Sequence, residues 1–255
     1  LNMISLAPFV LTTPLLKVPL LVTNSMLTYY GMTPPRQPPP TKEQLRFTVP
    51  DLMTRTTRIQ MAATAASKYV LCGVAIAEAI VLVVRDIPLS YSGLVLDALL
   101  PAAGNSAQAA ASLNITTLSA AGCILGIAGG LIRVWCHRAL GKFFTWQMAV
   151  RDDHELITRG PYSIVRHPSY TGWIFMIAGN FLSFASPGSY FIESGLRDSL
   201  LGRIVALASF GYCLFSTVNL IGRVAKEDAV LKKEFQAQWD TWAKQTPYRL
   251  IPFVY

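Results

Sequence analysis

The chain has 255 residues, of which 52% are hydrophobic and 14% charged, with a mean hydropathy of +0.40; this is too apolar for an ordinary soluble domain of that length. Its net charge of +8 would suit nucleic acid, but no RNA- or DNA-binding motif is present, and the basic residues gather in a few connections, as expected for contact with anionic headgroups. The four cysteines, Cys72, Cys123, Cys136 and Cys213, lie in or beside apolar runs without a CxxC pair, which excludes a disulfide framework and a zinc site.

A bilayer core of about 30 Å needs runs of about 20 apolar residues. Five runs qualify, residues 4–30, 62–84, 113–135, 170–187 and 201–222. The fold class expected is therefore all-α, an integral membrane protein with about five transmembrane helices. In the first run, Pro8, Pro14 and Pro19 with a central Lys17 leave open one kinked helix or a re-entrant pair. Pro34, Pro35 and Pro38 to Pro40 follow as a stiff linker, and residues 41–61 mix apolar and basic side chains as an interfacial segment does. In the second run Glu78 is an intramembrane carboxylate within reach of Arg85, and a structural role is favoured for it.

The third run carries Gly122, Gly126 and Gly130 four apart, a bare helical face for close approach of one neighbour. It leaves the membrane through Arg133, Trp135 and Arg138, with Phe143, Phe144 and Trp146 read as interfacial aromatics. The fourth and fifth runs, joined by residues 188–200, form a hairpin that brings the segment 160–172 next to the segment 223–228. After Asp228, Leu231, Phe235, Trp239 and Trp242 recur near helical period, which predicts an amphipathic helix acting either as a surface anchor or as a lid. Leu250 to Phe253 then return as an apolar plug.

Lys and Arg are frequent in 31–61, 133–169 and the tail and absent from 86–112, which predicts an outside or lumenal N-terminus and a cytosolic C-terminus. The sequon at Asn114 abuts a span, so glycosylation there is not expected.

The chemistry concentrates in the block Gly160-Pro161-Tyr162 to Arg166-His167-Pro168-Ser169-Tyr170-Thr171-Gly172 and in Arg223 with Glu227 four residues on. No dinucleotide fingerprint, phosphate loop, nucleophile elbow or HExxH spacing occurs. What remains is a cytosolic pocket suited to group transfer from a soluble cofactor to a lipid-borne acceptor. Alternatives stay open at single residues: Arg223 as a membrane anchor, His167 as a carbonyl cap, His154 as a surface residue, and Tyr162 and Tyr170 as members of the aromatic belt.

Together with Gln147 and the run His154-Glu155-Leu156-Ile157, these motifs resemble the isoprenylcysteine carboxyl methyltransferase family over residues 133–255. The resemblance implies S-adenosylmethionine as cofactor and the C-terminal carboxylate of a prenylated cysteine, farnesyl or geranylgeranyl, in CaaX-processed proteins as acceptor. It implies an endoplasmic reticulum membrane location; no metal is expected from the Cys and His spacing. It places Gln147, His154, Glu155, Leu156, Ile157, Tyr162, His167, Pro168, Ser169, Tyr170 and Glu227 at the cofactor, and Arg223 at the substrate. Where the family shows a run of glutamates this chain has Lys226-Glu227-Asp228, which leaves open which acid faces the cofactor. On this division residues 1–132 form a transmembrane region and 133–255 the catalytic region.

A carboxylate acceptor is ionised at neutral pH and needs no general base, so alignment in a dry site would carry catalysis. The nearest alternative is a phosphatidylethanolamine N-methyltransferase, whose cationic acceptor an Arg would repel; a sterol-type membrane reductase is a further one.

Overall fold

The computed structural model describes residues 14–35, 56–87, 90–101, 103–145 and 154–255. A 3-10 turn, Pro14–Leu16, leads into α1, Lys17–Met32, and α2 spans Thr57–Asp86. Two short helices, α3 (Ser92–Leu99) and α4 (Ser106–Ser112), precede α5, Thr117–Leu140. Then come α6 (Pro168–Phe184), the single turn α7 (Tyr190–Glu193), α8 (Leu200–Phe235) and α9 (Ala237–Gln245). Among the described residues there is no strand.

The protein is all-α and membrane-embedded, and each of the five expected runs overlaps a helix, the first of them over its described residues. Three stretches are long and apolar enough to cross a bilayer by themselves, Thr57–Asp86, Thr117–Phe143 and Leu200–Phe235. α6 has 17 residues, about 26 Å at 1.5 Å per residue. α1 has 16, and residues 4–13 of the first run, like most of the linker and interfacial segment at 36–55, lie outside the described residues.

Helix starts are specified locally. Thr116 and Ser119 form a reciprocal capping box at α5, Ser199 accepts from Gly202 N–H at α8, and Pro168 opens α6, where a missing N–H costs nothing.

Glycine decides how α5 meets its neighbours. A Cβ on Gly129 would lie 2.2 Å from Met176 N, and one on Gly179 would lie 2.2 Å from Gly126 N, so the α5 and α6 backbones touch. On its other side α5 takes α1 just as closely: a Cβ on Gly126 would meet Asn24 Oδ1 at 2.2 Å and one on Gly130 would meet Leu27 Cβ at 2.7 Å. The stripe Gly122, Gly126 and Gly130, expected to serve one neighbour, thus serves two, and Gly129 completes the second contact.

At the end of the bundle where α1 begins and α6 ends, Lys17 and Glu78 form a buried ion pair. Lys17 Nζ also donates to the carbonyls of Asn114 (2.8 Å) and Gly188 (3.2 Å), and Tyr190 N–H donates to Glu78 Oε2 (3.0 Å). The expected reach from Glu78 to Arg85 is not made. Seven residues separate them, about 10 Å along the axis, and Arg85 instead donates to the carbonyls of Ala110 (3.1 Å) and Leu113 (2.7 Å) and pairs with Asp86.

The tail differs from expectation as well. No separate helix starts after Asp228: α8 runs unbroken to Phe235, Gln236 turns the chain at φ 44°, and α9 follows. Between Gly222 and Phe235 the sequence offers neither Gly nor Pro to end the helix.

Candidate functional site

The segment ahead of α6 is shaped by its own residues. Gly160 adopts φ 63° beneath the Trp135 indole, Pro161 follows, and Gly160–Ser163 closes as a 3-10 turn. The tail is laid against the next residues: Arg166 N–H donates to Tyr248 O (2.9 Å), His167 N–H to Arg249 O (2.8 Å) and Thr171 Oγ1 to Leu250 O (2.6 Å). Leu250 is buried, but Phe253 is 87% exposed, so the expected apolar plug is reduced to one residue.

α8 meets this block through two consecutive acids. Tyr170 donates its hydroxyl to Glu227 Oε2 (2.5 Å) and stacks on the His167 ring at 5.5 Å and 16°. His167 Nε2 lies 3.0 Å from Asp228 Oδ1, and Nδ1 lies 3.7 Å from Glu227 Oε2. Asp228 is also 3.3 Å from both Arg166 Nη2 and Arg249 Nε. Neighbouring helical residues point about 100° apart, and here Glu227 faces a cavity while Asp228 turns into the block. The His167 ring therefore caps no carbonyl; it sits against two carboxylates.

That cavity encloses ≈ 1270 Å³ of space, its open mouth included. Of the residues expected at the cofactor, His154, Glu155, Leu156, Ile157, Tyr162, His167, Ser169, Tyr170 and Glu227 line it. Pro168 and Arg223 are buried but are not among its lining residues, Arg223 lying one turn deeper along α8 than Glu227. Gln147 lies outside the described residues, as does Trp146.

Several lining residues carried no chemical expectation. Arg133 on α5 is buried, donates through Nε to Gly31 O (2.6 Å) and through Nη1 to Ser169 O and Oγ (3.1 Å each), and lies 5.3 Å from the Trp173 ring. Its sequence signal was only its place one turn beyond the glycine stripe, which a positive-inside charge shares. Phe143 and Phe144, read as interfacial, are buried and line the cavity; the 3-10 turn Gly141–Phe143 bends the chain inward there. His154 is not a surface residue, lying between the rings of Phe143 (4.9 Å) and Phe235 (5.7 Å).

Trp242 of α9 donates its indole N–H to Tyr162 O (3.0 Å) and lines the cavity with Leu231, which is the lid arrangement rather than the surface anchor. Tyr162 is buried rather than part of an aromatic belt. Burial, then the neighbouring Cys136 thiol and Glu227, push its phenol well above the usual range. At the other extreme the lining continues to Thr64, Tyr212, Ser216 and Leu220 between α2 and α8. Tyr212 bonds Thr64 and donates to Gln60 O (3.0 Å) there. The cavity thus joins the polar residues ahead of α6 to the membrane-spanning part of the bundle.

Residues 122–190 match the model of the isoprenylcysteine carboxyl methyltransferase (ICMT) family. The chain is 41% identical over 135 residues to a protein-S-isoprenylcysteine O-methyltransferase of Dictyostelium discoideum, covering 52% of this chain and 49% of that one. It is 29% identical over 143 residues to the Xenopus laevis protein of the same name, covering 55% of this chain and 43% of that one. It is also 28% identical over 101 residues to a Delta(14)-sterol reductase of Mus musculus, covering 40% of this chain and 20% of that one. The matches thus span about half or less of these relatives' lengths. No solved structure shows a significant match.

Proposed function

We propose that this protein methylates the C-terminal carboxylate of a prenylated cysteine, using S-adenosylmethionine, at the cytosolic face of the endoplasmic reticulum membrane. The observation that carries the reading is that the His-Pro block and the Glu227 turn of α8 wall one cavity, polar there and reaching between α2 and α8 at its other end. A polar donor and an acceptor with a long apolar chain need that combination. Similarity to the named methyltransferases supports the reaction type.

The residues present fit such a donor. Glu227 and Glu155 offer carboxylate acceptors for amino and hydroxyl groups, and Phe143, Phe144, Leu156 and Trp242 offer apolar surface for a flat base. When bound, S-adenosylmethionine supplies an electrophilic methyl group on a sulfonium sulfur. Tyr170 and His167 hold Glu227 in place at the cavity wall. Phe143, Trp173 and Trp242 exclude water from the reacting end, which strengthens every electrostatic contact inside.

The acceptor carboxylate needs a cation rather than a base. Arg133 is the residue we assign to it, because its guanidinium is buried, already oriented by Gly31 and Ser169, and part of the cavity wall. Arg223, the expected substrate residue, remains as a second positive charge one turn below Glu227. The prenyl chain would occupy the Tyr212, Ser216 and Leu220 end, entered sideways from the bilayer. The domain division at residue 132 is proposed in the limited sense that the reacting groups follow it, while Thr64 contributes to the wall from before it.

The test is transfer of labelled methyl groups by purified protein, with N-acetyl-S-farnesylcysteine and phosphatidylethanolamine as parallel acceptors. Base-labile label on the prenylcysteine is expected; label on the phospholipid would move the assignment to an N-methyltransferase. Likeness to the sterol reductase favours one further control, binding of a reduced nicotinamide dinucleotide, which should be absent.

A further inference from the structure

Among the described residues Asp228 is the one carboxylate that meets a histidine and two arginines, His167 at 3.0 Å and Arg166 and Arg249 at 3.3 Å each. It is buried, at 6% exposure, and lies beside the cavity without lining it. An ionised carboxylate accepts only, so His167 Nε2 is the protonated nitrogen and the Nδ1 atom is left on the side of Glu227.

Arg249 reaches the same block twice. Its side chain pairs with Asp228, and its backbone carbonyl takes the His167 N–H, with Tyr248 taking the Arg166 N–H alongside. Apolar burial does little to hold this part of the tail: past Leu250, Ile251 is 39% exposed, Phe253 87% and Val254 76%. A buried carboxylate is costly without its cations, so Asp228 adds a charge contact to the three hydrogen bonds that join the block and the tail.

We propose that Asp228 is a positioning residue that docks residues 246–255 onto the His-Pro block and thereby fixes His167 and Glu227 at the cavity. Docking is independent of the proposed reaction; its effect on ligand binding rests on that reading.

The experiment compares wild-type protein in detergent with Asp228→Asn, Asp228→Glu and Arg249→Gln. Amide hydrogen exchange is followed over residues 160–172, and binding of S-adenosylhomocysteine by calorimetry. Arg249→Gln alters a partly exposed side chain and leaves Arg166 beside Asp228, so it should lower the unfolding midpoint less than Asp228→Asn does. Both it and Asp228→Asn are expected to speed exchange at the Arg166 and His167 amides by about tenfold or more, and to weaken ligand binding by about tenfold. Asp228→Glu should restore most of both. Unchanged exchange in Arg249→Gln would overturn the docking, whatever reaction the protein catalyses. Faster exchange with unchanged ligand binding would overturn the positioning role. Wild-type protein that binds no S-adenosylhomocysteine would refute the donor assignment, and exchange alone would then decide the docking.

Discussion

At one end of the bundle Lys17 and Glu78 satisfy each other, with the carbonyls of Asn114 and Gly188 and the N–H of Tyr190 completing the set. At the other end Arg133 and Glu227 are held as firmly, by Gly31 and Ser169 and by Tyr170, yet both line a large cavity. The space beside Glu78 is ≈ 290 Å³ against ≈ 1270 Å³ beside Glu227. Both ends bury charge within apolar helices, so charge alone does not mark a functional site. Room for a ligand beside the charge does.

Breaking each end separately sharpens the contrast. Lys17→Met leaves Glu78 buried without its cation and should destabilise the protein by about 3–5 kcal/mol, measured as thermal unfolding in detergent; the double change Lys17→Met with Glu78→Leu should recover much of that loss. Methyl transfer per folded molecule should be nearly unchanged in the double variant. A large loss of activity there would erase the distinction between the two ends.

Arg133→Gln should do the opposite, lowering transfer by about 100-fold or more with donor binding largely kept. Arg223→Gln is expected to cost less, and the reverse order would return the acceptor role to Arg223. Gly129→Ala forces the α5 and α6 backbones apart between the two ends and should cost about 1–3 kcal/mol, detected as a lowered unfolding midpoint.

The smallest effect concerns Tyr162. Its phenol stays protonated in the folded protein, while in the unfolded chain it ionises near pH 10. The folded state then binds more protons, so stability is fully present below about pH 10 and declines above it. Tyr162→Phe should cost about 1 kcal/mol at neutral pH and flatten that alkaline decline in unfolding measured from pH 8 to 11.

Local patterns carried most of what was legible in the sequence. The apolar runs marked the helices, the glycines marked a close packing face, and the two polar motifs, one at the start of α6 and one within α8, marked what the fold would bring together. Partners distant in sequence were not legible. Nothing near Glu78 points to Lys17, 61 residues earlier, and Arg85 was the nearer cation. Arg133 was absorbed into the count of positive charges, because its use depends on α1 and α6 arriving on either side. The choice between Glu227 and Asp228 turned on the rotational setting of α8, which the surrounding helix fixes and the motif does not.

α8 also works as a ruler. From Leu200 to Glu227 it is continuous, which puts Glu227 at most about 40 Å from the start of the helix, some 10 Å past a hydrocarbon core of about 30 Å. On the proposed reading, the Glu227 wall of the cavity would then stand at the height of lipid headgroups. The proposed prenylated acceptor would not have to leave its leaflet: only its last few bonds would rise to the proposed carboxylate site, and a thicker bilayer would shorten that rise.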